Sequence, residues 1–146
     1  MPLQFAPVAH RRITVDDIDI FYREAGSPSN LTVVLPHGYP CSSYQFRNLM
    51  PLLANHCHLV APDYPGFGFS ATPDRSAYAY TFDAHAEFLH QFVAHLGLTR
   101  YVIWCHDYDS QFGLRLAMSA PERVAGLIIQ NGDIYEETHG PKYARP

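Results

Sequence analysis

Apolar residues in this chain fall into short runs, and the spacing within the runs alternates between strand-like and helix-like. Continuous apolar runs, typical of strands buried on both faces, occur at Leu31–Leu35, His58–Ala61, Tyr101–Cys105 and Val124–Gln130. Helix-like spacing, with apolar residues three or four apart, occurs in Ser43–Ala54, from Thr81 through Leu96, and in Tyr108–Ser119. Strands that alternate with helices predict an α/β fold with a mostly parallel sheet covered on both faces.

Two local signals refine this prediction near the N-terminus. The β-rich runs Arg12–Val15 and Ile18–Tyr22 flank Asp16 and Asp17, which predicts an N-terminal β-hairpin. Pro51 lies inside the first helical pattern, and we expect it to kink or split that helix because proline lacks the backbone N–H.

The second helical pattern carries its own start and stop signals. Thr81 can cap the helix, and Gly97 is its expected C-terminal end. The predicted buried stripe of this helix comprises Phe82, Phe88, Leu89, Phe92 and Leu96.

Composition narrows the class of protein. The 146 residues are 47% hydrophobic and 16% charged, with a formal net charge of −4, so neither a disordered chain nor a basic nucleic-acid binder is expected. No apolar run is long enough to span a bilayer, and no secretory signal is apparent. Cys41, Cys57 and Cys105 are odd in number and lack metal-type spacing, which favours reduced thiols in a cytoplasmic protein.

Three loops follow apolar strands directly and contain the candidate chemistry. They are His37–Pro40, Asp63–Ser70 and His106–Ser110. In a parallel α/β sheet, ligands bind beyond the carboxyl ends of the strands, so these loops are expected to meet at one site.

The residues in and around these loops resemble the α/β-hydrolase superfamily, in particular its branch of epoxide hydrolases and haloalkane dehalogenases. The matching blocks are HGYPCSSYQFRNLMPLLA, APDYPGFGFS, YTFD, WCHDYDSQFGLRLAM and PERVAGLIIQNGD, in the order of the family, from about Ile13 to Gly140. The resemblance implies a three-layer sandwich with an N-terminal hairpin. It also implies that residues 1–146 form the N-terminal part of a single domain, ending before the helical cap and the last strands.

By this resemblance Asp107 occupies the nucleophile position, at a sharp turn between a strand and a helix. An ionised carboxylate there can attack a carbon that bears a leaving group and form a covalent ester. The alternative role for Asp107 is a simple helix cap. Ser110 lacks the flanking glycines of a serine elbow, and Cys105 is expected to be a buried thiol at the end of the strand.

The resemblance also implies donors for the oxyanion that forms when the ester is hydrolysed. These donors are the backbone N–H groups of Tyr39 and Tyr108. Pro40 fixes the first loop, and Gly38 allows a close approach of the backbone. His37 is expected to organise this loop by hydrogen bonding and not to act as the catalytic base.

The chain departs from the family pattern in two ways. Asp109 stands where the family has a small residue, so we expect crowding, like charge beside Asp107, and improved activity or stability on Asp109→Gly. The family's catalytic histidine and acid are expected beyond this chain, which would then be inactive alone. Asn131 holds an alternative acid position without a carboxylate, and Asp133 is a weak candidate nearby.

Three functions stay open from the sequence. Tyr108 follows the nucleophile where dehalogenases commonly have tryptophan, which favours an epoxide hydrolase acting at an sp³ carbon of a small hydrophobic substrate. A haloalkane dehalogenase and a non-catalytic fragment of this fold are the alternatives. No cofactor is implied, and the pair His56 and His58 lacks a third metal ligand. The strand end Leu127–Gln130 is expected to expose an edge for self-association.

Overall fold

A computed structural model describes residues 5–132 of the chain. The strands are β1 (Val8–Val15), β2 (Ile18–Ala25), β3 (Thr32–Val34), β4 (His58–Pro62), β5 (Tyr101–Asp107) and β6 (Val124–Gly132). The helices are α1 (Leu49–Leu53), α2 (Phe82–His95) and α3 (Asp109–Ser119), with short 3₁₀ turns at Ser43–Phe46 and Pro121–Arg123.

The six strands form one sheet in the order β1-β2-β4-β3-β5-β6. The predicted hairpin β1–β2 is present and antiparallel, and it joins the sheet through an antiparallel pairing of β2 with β4. The pairs β3–β4, β3–β5 and β5–β6 are parallel. The predicted α/β fold with a mostly parallel sheet is therefore confirmed.

Apolar side chains fill both faces of this sheet. On one face, α2 and α3 pack on the strands through a cluster that includes Leu89, Phe92 and Leu116. On the opposite face, Met50 of α1 packs with Leu35. Helices on both sides of a central sheet make the three layers expected from the sequence.

Local start and stop signals operate as predicted in α2. The Thr81 hydroxyl accepts a hydrogen bond from the backbone N–H of Ala84 at 3.1 Å, and Gly97 follows the helix with φ +66°. The prediction is wrong for one residue of the buried stripe, because Phe82 is 44% exposed. It lies in the first turn and contributes to a cleft instead of the core.

The first helical pattern is split, as Pro51 predicts. A 3₁₀ turn ends at Phe46, and α1 begins at Leu49, so Pro51 is the third residue of α1. Proline is tolerated in a first turn because the N–H groups there have no intrahelical partner.

Strand β6 lies at the edge of the described sheet and pairs with β5 alone. Its Leu127, Ile128 and Ile129 are 41%, 39% and 60% exposed. Within residues 5–132, this strand therefore presents apolar side chains next to unpaired backbone groups.

Candidate functional site

Asp107 is the last residue of β5, and α3 begins two residues later. Its backbone has φ +58°, in the left-handed region that non-glycine residues rarely occupy. Such a conformation costs roughly 1–3 kcal/mol and persists only when neighbouring contacts enforce it. The sharp turn between strand and helix therefore holds this carboxyl group at the end of the sheet.

The loop after β3 approaches the Asp107 carboxyl group closely. The backbone N–H of Tyr39 donates a hydrogen bond to Asp107 Oδ2 at 3.0 Å. A Cβ on Gly38 would lie 2.8 Å from both Cβ and Oδ2 of Asp107, so only glycine fits there without a shift. Tyr108 is the N-cap residue that precedes α3, at the end of the helix where backbone N–H groups lack intrahelical partners.

His37 is buried and bonded at both ring nitrogens. Nδ1 lies 2.9 Å from the carbonyl oxygen of Gly38, and Nε2 accepts the backbone N–H of Tyr64 at 3.2 Å. These bonds assign the neutral tautomer with the proton on Nδ1, and burial lowers the pKa of the ring. The ring joins the loop after β3 to the loop after β4, as a loop-organising residue does.

Asp63 was given no role by the sequence, yet it connects the same two loops. Its fully buried carboxylate accepts the backbone N–H of Ser43 at 2.7 Å and that of Phe69 at 2.9 Å. Gly68 allows this arrangement, because a Cβ there would lie 1.9 Å from Asp63 Oδ2. The available signal was an aspartate directly after a buried strand and before a glycine-rich loop.

The two rival nucleophiles are engaged or buried. Ser110 is fully buried, and its Oγ donates a hydrogen bond to the carbonyl oxygen of Asp107 at 2.6 Å. Cys105 is also fully buried; burial first, and Asp109 next, raise the pKa of its thiol to about 12. A thiol with so high a pKa is almost entirely un-ionised at neutral pH and a poor nucleophile.

Asp109 is buried at the start of α3 and does not merely crowd the turn. Its Oδ1 accepts the backbone N–H of His106 at 2.5 Å. Burial raises the pKa of Asp109 to about 8, with the His106 hydrogen bond opposing and the charge of Asp107 adding to the rise. At pH 7 this carboxyl group is therefore mostly protonated, and the like charge expected from the sequence is largely absent. Asp109→Gly would remove the acceptor of the His106 N–H instead of relieving a repulsion, so the improvement expected from the sequence is no longer predicted.

An open cleft of about 1150 Å³ lies over the loops after β3, β4 and β5. Its wall is largely aromatic and includes Tyr39, Tyr64, Phe67, Phe82, Tyr108 and Phe112. The rings of Tyr39 and Tyr108 meet edge to face at 5.9 Å, and Phe82 lies 5.8 Å from Tyr108. Such a wall suits an uncharged, apolar ligand.

His85 of α2 lines the same cleft and was missed as a site residue. Its Nδ1 lies 2.9 Å from the hydroxyl oxygen of Tyr78. Burial, and then the proximity of His37, lowers the pKa of His85 to about 4, so the ring is neutral at pH 7. Its apolar neighbours Tyr64 and Phe112 come from distant parts of the chain, which is why spacing along α2 gave no signal.

The remaining sequence candidates lie outside the cleft wall. His58 is buried on β4 and bonded to Thr32 and Glu24, so it does not pair with His56 as a metal ligand. Among residues 5–132, no group of three or more potential metal ligands is found. Asp133 lies outside the described residues, and Asn131 is part of β6.

The mostly parallel sheet and the sharp turn after β5 have the architecture of the α/β hydrolase fold. A family model for the α/β hydrolase fold matches residues 32–144, and the chain belongs to this family. No helix within residues 5–132 is long and apolar enough to cross a membrane.

Three proteins of different description are similar to this chain in sequence or in structure. An uncharacterized hydrolase from Saccharomyces cerevisiae is 43% identical over 128 residues, which is 88% of this chain and 43% of that protein. A haloalkane dehalogenase from Bradyrhizobium diazoefficiens is 36% identical over 82% of this chain and 37% of its own length. The solved structure of epoxide hydrolase CorEH superposes with a TM-score of 0.78 at 28% identity, over 92% of this chain and 47% of that one. The chain thus spans less than half the length of these proteins.

Proposed function

We propose that this chain contributes the nucleophile and the oxyanion hole of an α/β hydrolase that opens epoxides through a covalent aspartyl ester. In this proposal residues 1–146 are the N-terminal part of a single hydrolase domain, located in the cytoplasm. Asp107 is the nucleophile, and the backbone N–H groups of Tyr39 and Tyr108 are the oxyanion donors. The loop after β3, which contains the Tyr39 donor, is organised by His37, Gly38 and Pro40.

The observation that carries the proposal is the 3.0 Å hydrogen bond from Tyr39 N–H to Asp107 Oδ2. This donor engages one carboxylate oxygen, and we assign the attack to the other, Oδ1. After the attack, Oδ2 is the carbonyl oxygen of the ester and lies where a backbone donor can stabilise negative charge. A mere helix cap would not need a donor from another loop.

The proposed reaction has two steps. Asp107 Oδ1 forms a bond to an epoxide carbon, and the ring C–O bond breaks with its electron pair going to the epoxide oxygen, which takes a proton from water or an acid. Water then adds to the ester carbonyl carbon, and the oxyanion at Oδ2 is stabilised by both N–H groups. Cleavage of the C–Oδ1 bond of the ester carbonyl, with proton transfer from the added water, releases the diol and regenerates the carboxylate.

Water attack requires a base, and we assign none of the described histidines to it. His37 is bonded at both ring nitrogens and His85 to Tyr78. In the part of the chain that the structure describes, no histidine ring is hydrogen bonded to Asp107. We therefore expect the ester to form on Asp107, and none of the histidines within residues 5–132 to provide the base for its hydrolysis.

Dehalogenation is the second candidate, favoured by the 36% identity to the haloalkane dehalogenase. The same Asp107 ester would form, with a halide as leaving group. Tyr108 favours the epoxide, because the exposed phenol ring at this position offers no indole N–H to a halide. A non-catalytic role for the chain is the third candidate. It is the one that remains if neither an epoxide nor a haloalkane reacts with the chain.

The test is covalent labelling followed by peptide mass spectrometry. We expect incubation with styrene oxide to add the mass of one epoxide to the peptide that contains Asp107, faster than 1-bromohexane adds its alkyl group. Asp107→Asn should abolish both adducts, since an amide is a far weaker nucleophile than a carboxylate.

Asp17→Asn is the matched control. Asp17 is also an aspartate with a left-handed backbone (φ +63°), but it lies in the exposed hairpin turn. Asparagine tolerates this conformation, so both variants should fold. An adduct on Ser110 or Cys105, or equal labelling of Asp107→Asn, would refute the assignment.

A further inference from the structure

Asp109 is a buried carboxyl group that the proposed chemistry does not use. Its side chain has no solvent exposure. Oδ1 accepts the backbone N–H of His106, and Oδ2 is buried without a hydrogen-bond partner among residues 5–132. An ionised carboxylate with an unpartnered oxygen in such a place is unfavourable, whereas a neutral acid is tolerated.

The bond from His106 to Asp109 closes a ring around Asp107. His106 precedes the nucleophile, and Asp109 follows it by two residues, so the contact spans the turn in which φ of Asp107 is +58°. Ser110 Oγ donates to the carbonyl oxygen of Asp107 on the other side of the same turn. Two side chains from the first turn of α3 thus hold the backbone on both sides of Asp107.

The titratable groups that face Asp109 provide no compensating positive charge. They are the Asp107 carboxylate and the Cys105 thiol on β5, and the buried Tyr64 hydroxyl after β4. His85 of α2, which packs on Tyr64, is neutral at pH 7. Within the described residues, none of the groups that influence the ionisation of Asp109 is a cation.

We propose that Asp109 is a positioning residue: as a neutral carboxylic acid it holds the turn that presents Asp107, and its ionisation at alkaline pH weakens that turn, because a buried carboxylate with one unpartnered oxygen is drawn toward water. This role rests on the proposed function of Asp107 as the nucleophile. Asp109 itself touches no substrate. A neutral side chain fixes the turn without a second negative charge beside the nucleophile.

The first experiment follows the protonation of Asp109 without any substrate. Carbon-13 NMR of the aspartate carboxyl groups should show one signal that titrates near pH 8 and is absent in Asp109→Asn. If the signal lost in that variant titrates near pH 4, the proposal is overturned.

The second experiment measures the rate of styrene oxide labelling on Asp107 from pH 5 to 9.5. In the wild type we expect the rate to fall about tenfold above pH 8. Asp109→Asn keeps an acceptor for His106 and cannot ionise, so its rate should stay within about threefold of the wild type at pH 7 and should not fall. Asp109→Leu removes the acceptor and should slow labelling at least tenfold at every pH, with an unchanged half-saturating epoxide concentration.

These outcomes separate the two proposals. Unchanged labelling in Asp109→Leu, or the same alkaline fall in Asp109→Asn as in the wild type, overturns the role of Asp109. Absence of any Asp107 adduct in the wild type contradicts the proposed function instead, and the NMR titration then still decides the state of Asp109. Thermal unfolding of each variant checks that it is folded.

Discussion

At the scale of single residues, the contact between Gly38 and Asp107 leads to a steric prediction. We expect Gly38→Ala to slow ester formation by on the order of 100-fold, because a misplacement of about 1 Å at a reacting group has that effect. The added Cβ would lie 2.8 Å from Asp107 Oδ2 and must displace either the carboxylate or the Tyr39 donor. The measurement is the rate of styrene oxide labelling on Asp107.

Gly126→Ala provides the comparison for this substitution. Gly126 lies in β6, and its added Cβ would meet a Val102 methyl group at 3.9 Å, an ordinary van der Waals distance. Labelling should continue there at nearly the wild-type rate. Equal rates in the two alanine variants would show that the close approach at Gly38 is not needed.

A residue of the site was predictable where its role depends on residues close to it in the sequence. Asp107 and Gly38 belong to motifs that occur along the chain in the order of the family. Each lies in a loop that follows a predicted strand. Asp63 and His85 act through contacts with groups that lie far away in sequence, such as the Ser43 N–H for Asp63. No local pattern indicates which distant backbone group a buried carboxylate will accept.

At the scale of elements, the N-terminus of α2 allows a measurement of one cap. Thr81→Ala should lower the free energy of unfolding by about 1 kcal/mol, because the N–H of Ala84 loses its side-chain acceptor. Urea denaturation monitored by circular dichroism measures this difference.

Thr81→Ser serves as the control, since serine retains the capping oxygen. Its unfolding free energy should stay within a few tenths of a kcal/mol of the wild type. If serine destabilises the protein as much as alanine does, packing of the threonine methyl group, and not the cap, explains the effect.

The cap of a helix, its end and its interruption by proline were predictable because each depends on a few neighbouring residues. Whether a side chain faces the core or the cleft was not predictable in this way. Thr81, Gly97 and Pro51 act through the backbone within a few residues. Phe82 fits the apolar spacing of α2, but the first turn of that helix extends past the core to the cleft. Helical periodicity defines a face and does not say where along the helix that face leaves the core.

At the scale of the whole molecule, the edge of β6 that has no partner strand within residues 5–132 predicts self-association. We expect the 146-residue chain to form dimers or larger species at low micromolar concentration, because unpaired backbone groups beside apolar side chains favour pairing with another strand. Size-exclusion chromatography with light scattering measures the mass directly.

Ile129→Lys should shift this equilibrium toward the monomer, since an edge lysine opposes strand pairing. Met118→Lys is the matched control: Met118 is 79% exposed and belongs to helix α3, not to strand β6. A cooperative wild-type monomer would contradict the prediction, as would equal effects of the two lysines.

The alternation of strands and helices predicted the class of fold, but not the order of the strands. Strand β4 lies between β2 and β3, and β3 bridges β4 and β5. Pattern along the chain indicates which segments are buried, whereas their lateral order depends on how the connections cross the sheet.

Trp104, the single tryptophan of the chain, lies on β5 and donates its indole N–H to the Gln130 side chain of β6 at 3.2 Å. The same residue is three positions before Asp107. Its intrinsic fluorescence is therefore a built-in reporter of the junction between β5 and β6. A change in emission on dilution or on reaction at Asp107 would register movement at this junction without any added label.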